Sequence, residues 1–89
     1  MNVNKNFVLR QVANTWVVLP MGEATVNFNG MLRLNESGAM LWRELEKGAD
    51  RASLIRYLTV TYDVSETEAA PDVDAFLESL AHIGCLGES

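Results

Sequence analysis

Hydrophobic positions change their period once along the chain. From Phe7 to Val12 (FVLRQV) and again from Trp16 to Leu19 (WVVL), β-branched and aromatic residues cluster, and Ala13-Asn14-Thr15 between them supplies a hairpin connection. Pro20-Met21-Gly22-Glu23 interrupts the second run. Thr25-Val26-Asn27-Phe28 then alternates polar and apolar as a half-buried strand does, and Asn29-Gly30 closes it. This pattern predicts a three-stranded antiparallel sheet, too small to stand without something packed on one face.

Beyond Asn35 the spacing becomes helical. Asn35 is placed to cap a helix over about Glu36 to Lys47, with Ala39, Leu41, Trp42 and Leu45 as its apolar stripe and Lys47-Gly48 as its stop. Asp50 caps a second helix, with Leu54, Ile55, Leu58 and Tyr62 at helical spacing and its end before Asp63-Val64. Ser65 and Glu68 form the S-x-x-E capping box of a third, in which Ala69, Val73, Phe76, Leu77, Leu80 and Ile83 recur every three or four residues up to Gly84. Pro71 conflicts with that third pattern, because an interior proline removes a backbone donor and crowds the preceding turn. A kink is expected there, or a helix that effectively starts near Asp72. The fold class that follows is α+β, a three-stranded antiparallel sheet followed by three helices.

Length and composition narrow the function. Eighty-nine residues make one domain, expected to span 1–89, that buries a little over ~60% of its unfolded surface. Hydrophobic residues at 48% and charged residues at 21% describe a chain that folds. The single cysteine, Cys85, excludes an internal disulfide and fits a reducing cytoplasmic setting. No stretch is long and apolar enough for a signal peptide or a bilayer span.

Charge is unevenly placed. All seven Lys and Arg residues lie within the first 56 positions, whereas residues 57 to 89 hold seven of the twelve acids and no base. The C-terminal third is therefore an acidic element, unsuited to nucleic acid or anionic membrane as a partner.

Candidate chemistry is sparse. His82 and Cys85 make H-x-x-C, but two ligands are too few to close a zinc site. Asp72, Asp74 and Glu78 read as the solvated face of an amphipathic helix rather than as an acid-base or cation site. No glycine-rich loop followed by lysine is present to hold a phosphate. Neither catalytic residues, a metal site nor a cofactor are expected.

A small sheet leaves an unpaired edge. If the outer edge of the third strand lies beside the third helix, an extended peptide could add a strand there, bonded to the main chain of residues 25 to 29. Pattern alone ranks that as one possibility among several. Trp42 reads as core, whereas Phe76 could border such a groove.

The stretch Leu34-Asn35-Glu36-Ser37-Gly38-Ala39 followed by Leu41-Trp42 resembles the L-N-x-[ST]-[GA]-x-x-[IL]-W signature of the coenzyme PQQ synthesis protein D (PqqD) family. Its flanks agree in order: F-V-L-R-x-V, V-V-L-P-x-G, V-N-F-N-G-M, Y-D-V-S-x-x-E-A, D-V-D-A-F-L and a final G-C-L, covering roughly residues 7 to 86. Pro71 departs from the family pattern, which usually has a plain helix former there.

The resemblance implies a winged-helix-like domain of the kind called a RiPP recognition element. Such a domain binds the leader of a ribosomally made precursor peptide and presents it to a modifying enzyme, commonly a radical SAM protein, or to a leader peptidase in lasso-peptide systems. It implies a leader held as an added strand against Thr25, Val26, Asn27 and Phe28, in a cleft walled by Val73, Phe76, Leu77 and Leu80. If Asp72 or Asp74 borders that cleft, the leader is expected to carry a Lys or Arg, and binding to weaken with salt.

The expectation is thus a non-catalytic peptide-binding adaptor, as a monomer or a strand-exchanged dimer. Two rivals stand beside it. One is a winged-helix DNA binder reading through the middle helix, where only Arg51 and Arg56 are basic. The other is a docking subunit of a larger enzyme that never touches its substrate.

Overall fold

The computed structural model describes residues 2–22 and 31–87. Its elements in order are β1 (Asn2–Val3), β2 (Phe7–Val12), β3 (Thr15–Pro20), β4 (Leu32–Leu34), α1 (Glu36–Glu46), α2 (Arg51–Tyr62), α3 (Glu66–His82) and β5 (Leu86–Gly87). Strands β2, β3 and β4 form an antiparallel sheet in that order, and three helices follow. This is the α+β architecture expected from the pattern.

The β2–β3 hairpin pairs Val12 with Thr15, leaving a two-residue turn of Ala13 and Asn14. Ala13 takes φ of 56°, a left-handed conformation that costs a residue bearing a Cβ about 1–2 kcal/mol. The third strand of the described sheet is Leu32-Arg33-Leu34, paired with Val18, Val17 and Trp16 respectively. The strand expected over Thr25–Phe28 lies outside the described residues. Leu32–Leu34 was not anticipated, because two leucines around an arginine directly before a helix cap carry no β-branched signature.

One sheet face meets the helices. Phe7, Leu9, Val18, Leu32 and Leu34 pack from the sheet against Leu41, Trp42 and Leu45 of α1, Leu54 and Leu58 of α2, and Ala69, Val73, Phe76 and Leu80 of α3. Trp42 is fully buried, as expected of a core residue, and its indole Nε1 has no hydrogen-bond partner among the described residues. Trp16, half-buried on β3, lies under the Arg43 guanidinium at 5.4 Å, which ties the sheet to α1 through a cation–π contact.

All three predicted caps are present. The Asn35 side chain accepts from Gly38 N at 2.8 Å, Asp50 from Ser53 N at 2.8 Å, and Ser65 from Glu68 N at 3.2 Å. Gly48, at φ of +89°, follows α1 as its helix stop, and its amide donates to the Leu45 carbonyl. Asp63 closes α2 in the left-handed region at φ of 53°, which an aspartate tolerates better than most residues.

Helix α3 begins at Glu66 and runs through Pro71, so it does not start near Asp72. The first turn is held by the Ser65 cap, by the Ala69 amide donating to the Ser65 carbonyl, and by burial of Ala69. Pro71 and Thr67, whose carbonyl would have accepted the missing N–H, both lie on the exposed side of the helix.

One feature had no sequence signal. Strand β1 pairs with β5, Asn2 opposite Gly87 and Val3 opposite Leu86. Asn4 N donates to the Cys85 carbonyl at 2.6 Å, and the Asn4 side chain donates to the Gly84 carbonyl at 3.3 Å. Cys85 itself is fully buried, and burial pushes its thiol up to about 12.

Candidate functional site

A groove separates β4 from α3. Its central part, about 350 Å³, has Leu32, Arg33 and Leu34 on one side, Asp72, Ala75, Phe76 and Ser79 on the other, and Leu41 and Leu58 at its base. Leu58 and Asp72 also belong to a hollow that continues it past Tyr62 and Val64. Leu32, Ala75 and Ser79 belong to another that continues it in the opposite direction to His82 and Ile83. The whole channel thus follows α3 from Asp72 to His82, ~15 Å of helix, a length that ~4–5 residues of extended chain would span.

The channel's strand side is a sheet edge. Among the described residues β4 has β3 as its one strand neighbour, so its outer row of backbone N–H and C=O groups is available to another strand. Leu32 and Leu34 turn toward the core, and Arg33, between them, stands on the opposite face. Arg33 is exposed and makes no ion pair among the described residues.

Helical geometry decides which residues of α3 reach the channel. At about 100° per residue, Ala69, Val73, Phe76 and Leu80 share the core-facing stripe, while Asp72, Ala75 and Ser79 fall on one flank of it. Phe76 sits at the seam between the two and is 8% exposed. Val73 and Leu80 have no exposed surface, so they belong to the core and do not line the channel. Leu77 packs on the core from the other flank and does not line it either.

Of the residues anticipated for a peptide site, the structure therefore brings Asp72 and Phe76 to the channel. Thr25, Val26, Asn27 and Phe28 lie outside the described residues. Ala75, Ser79 and the β4 edge also line the channel and were not among those anticipated. Their signal was available as two small side chains at i, i+4 beside the apolar stripe, a spacing that leaves room on one flank of a helix.

The acids of α3 separate in the same way. Asp72 lines the channel, whereas Asp74 points to α2 and takes both hydrogen bonds of a bidentate pair with Arg51, at 2.6 and 3.0 Å. Those hydrogen bonds hold the Asp74 carboxyl below its ordinary range and raise the Arg51 guanidinium above its own. Arg51, one of the two cations that a DNA-reading middle helix would have used, is thus engaged by Asp74. No group of three His, Cys, Asp or Glu able to hold a metal ion occurs among the described residues. No described helix is long and apolar enough to cross a membrane.

Comparison with known proteins agrees with this fold. The family model for coenzyme PQQ synthesis protein D (PqqD) matches residues 15–86. No curated protein sequence matches the chain. Among solved structures, TbiB1 in complex with the TbiA(beta) leader peptide superposes with a TM-score of 0.78 at 20% identity, covering 100% of this chain and 98% of that one. Lasso peptide synthetase B1 complexed with the leader peptide superposes with a TM-score of 0.74 at 25% identity, covering 94% and 93%.

Proposed function

The chain belongs to the coenzyme PQQ synthesis protein D family, and from that premise we propose that it is a non-catalytic adaptor binding the leader of a ribosomally synthesised precursor peptide. One observation carries the reading: a strand edge with no further partner among the described residues, β4, opens onto a channel walled by α3. Two proteins of the same fold are complexes with leader peptides, which supports assigning the same class of ligand here.

The leader adds as a strand beside Leu32–Leu34, with backbone hydrogen bonds of about 1 kcal/mol net each supplying sequence-tolerant affinity. Alternate leader side chains enter the channel over Phe76, Ala75 and Ser79, and each apolar one buried adds about 1.5–3 kcal/mol before the cost of ordering the peptide. Asp72, at the upstream end, favours a Lys or Arg in the leader. Held this way, the precursor is presented to a second protein that performs the chemistry, a radical SAM enzyme or a leader peptidase. A buried, unpaired cysteine suits a cytoplasmic setting for this work.

The test is isothermal titration with synthetic leader peptides drawn from candidate short reading frames near this chain's gene. We expect a Kd between about 0.1 and 10 μM, and a loss of at least about tenfold for Ala75→Arg, which fills the channel from an exposed helix position. Unchanged affinity in the folded variant would place the leader elsewhere.

A further inference from the structure

The outer face of the sheet carries an unusual charge row. Arg10 of β2, Val17 of β3 and Arg33 of β4 are direct cross-strand partners, Arg10 opposite Val17 and Val17 opposite Arg33. Val17 is 2% exposed, while both arginines are exposed. Neither arginine pairs with a carboxylate among the described residues, although the protein has a net charge of -5. Among the described residues the guanidinium of Arg10 donates only to the neighbouring Leu9 carbonyl, at 3.1 Å. Two cations without a carboxylate partner among the described residues therefore stand on one line across the sheet, which in the described sheet ends at β4.

A strand laid against β4 extends the row by one residue. The side chain directly opposite Arg33 falls on the same outer face, with Cβ atoms ~5 Å apart, close enough for a charge pair. Its two chain neighbours, by the alternation of the pleat, point the other way, opposite Leu32 and Leu34 and into the channel. The outer position favours an acid, and the two inner positions favour apolar side chains.

Resting on the leader-binding reading, we infer that Arg33 selects a leader segment in which an Asp or Glu, flanked on each side by an apolar residue, pairs beside Leu32-Arg33-Leu34. The same arrangement fixes register. A slip by one residue turns the leader's acid into the channel, onto its apolar base and toward Asp72, and turns the apolar pair out to solvent. The preference is thus for one acidic position rather than for an acidic peptide, which the acidic α3 would repel.

The experiment is selection of a random-peptide display library on the immobilised full chain, in parallel with Arg33→Glu and Ala75→Arg. Peptides captured by the wild type and lost on Ala75→Arg are expected to share an apolar–acidic–apolar triplet, and Arg33→Glu to exchange the central acid for Lys or Arg. A synthetic copy of the best peptide should lose about two- to fivefold in affinity when its central acid becomes the amide, with the difference shrinking at high salt. Channel-dependent peptides without that triplet, or a triplet unchanged by Arg33→Glu, would overturn the role of Arg33 alone. Equal capture by Ala75→Arg, or no enrichment at all, would instead remove the channel as the binding site.

Discussion

Helix α3 has two faces built at the same spacing and used in opposite ways. One carries Ala69, Val73, Phe76 and Leu80, all buried in the core. The other carries Asp72, Ala75 and Ser79, which border an open channel. The first face is made by bulk and the second by its absence. Where α3 meets α2 and the sheet, each large side chain buried contributes about 1.5–3 kcal/mol. Ala75 and Ser79 instead stop short of β4, and the space they leave is the channel. A helix that walls a groove is therefore recognised by its small residues, with Phe76 at the seam as the single large one shared by both faces.

Neighbouring residues can break this contrast. Leu80→Ala should cost about 2–5 kcal/mol of folding stability, read as a lower urea midpoint, because it opens a cavity in a filled core. Ser79→Arg, one residue earlier, should leave the midpoint within about 0.5 kcal/mol and lower leader affinity at least about tenfold, or ~1.4 kcal/mol. If the two variants exchange these outcomes, the faces have been assigned the wrong way round.

Smaller effects sharpen it. Pro71→Ala should stabilise the protein by about 1–2 kcal/mol in thermal melts, since the regained helical bond exceeds the flexibility restored to the unfolded chain. It should do so without changing leader affinity, because Pro71 is exposed and does not itself line the channel. The smallest effect concerns the third side of α3, where Arg51 holds Asp74. The carboxyl is depressed in the folded protein, so its contribution is present above the ordinary aspartate range and is lost as pH falls through the lowered value. Asp74→Asn should flatten the acid limb of the stability–pH curve, and added salt should produce part of the same flattening in the wild type.

Much of the architecture was legible because local rules and the global fold agree. Asn35, Asp50 and Ser65 cap the helices that their positions announce, and the hairpin turns where the β-branched runs pause. The α3 wall was only half legible, since periodicity identifies which side chains are buried but not which flank remains open. The apolar stripe stands out by its period, whereas Ala75 and Ser79, which border the channel, do not. Leu32–Leu34 was hidden for another reason: a three-residue strand is defined by its partner in β3, and nothing in its own sequence requires an extended backbone. The β1–β5 pair was invisible on the same grounds, because it joins two dipeptides from opposite ends of the chain.

That pair has a consequence for how the protein is joined to others. With Asn2 directly opposite Gly87, the chain enters and leaves the fold ~5 Å apart, at one corner. The corner adjoins the channel mouth at His82 and Ile83, just before β5. A polypeptide attached at either terminus departs beside the point where a threaded peptide would emerge. The whole unit could be spliced into a surface loop of an enzyme without forcing the host's ends apart, and the tether needed to carry a substrate from mouth to active site would be short.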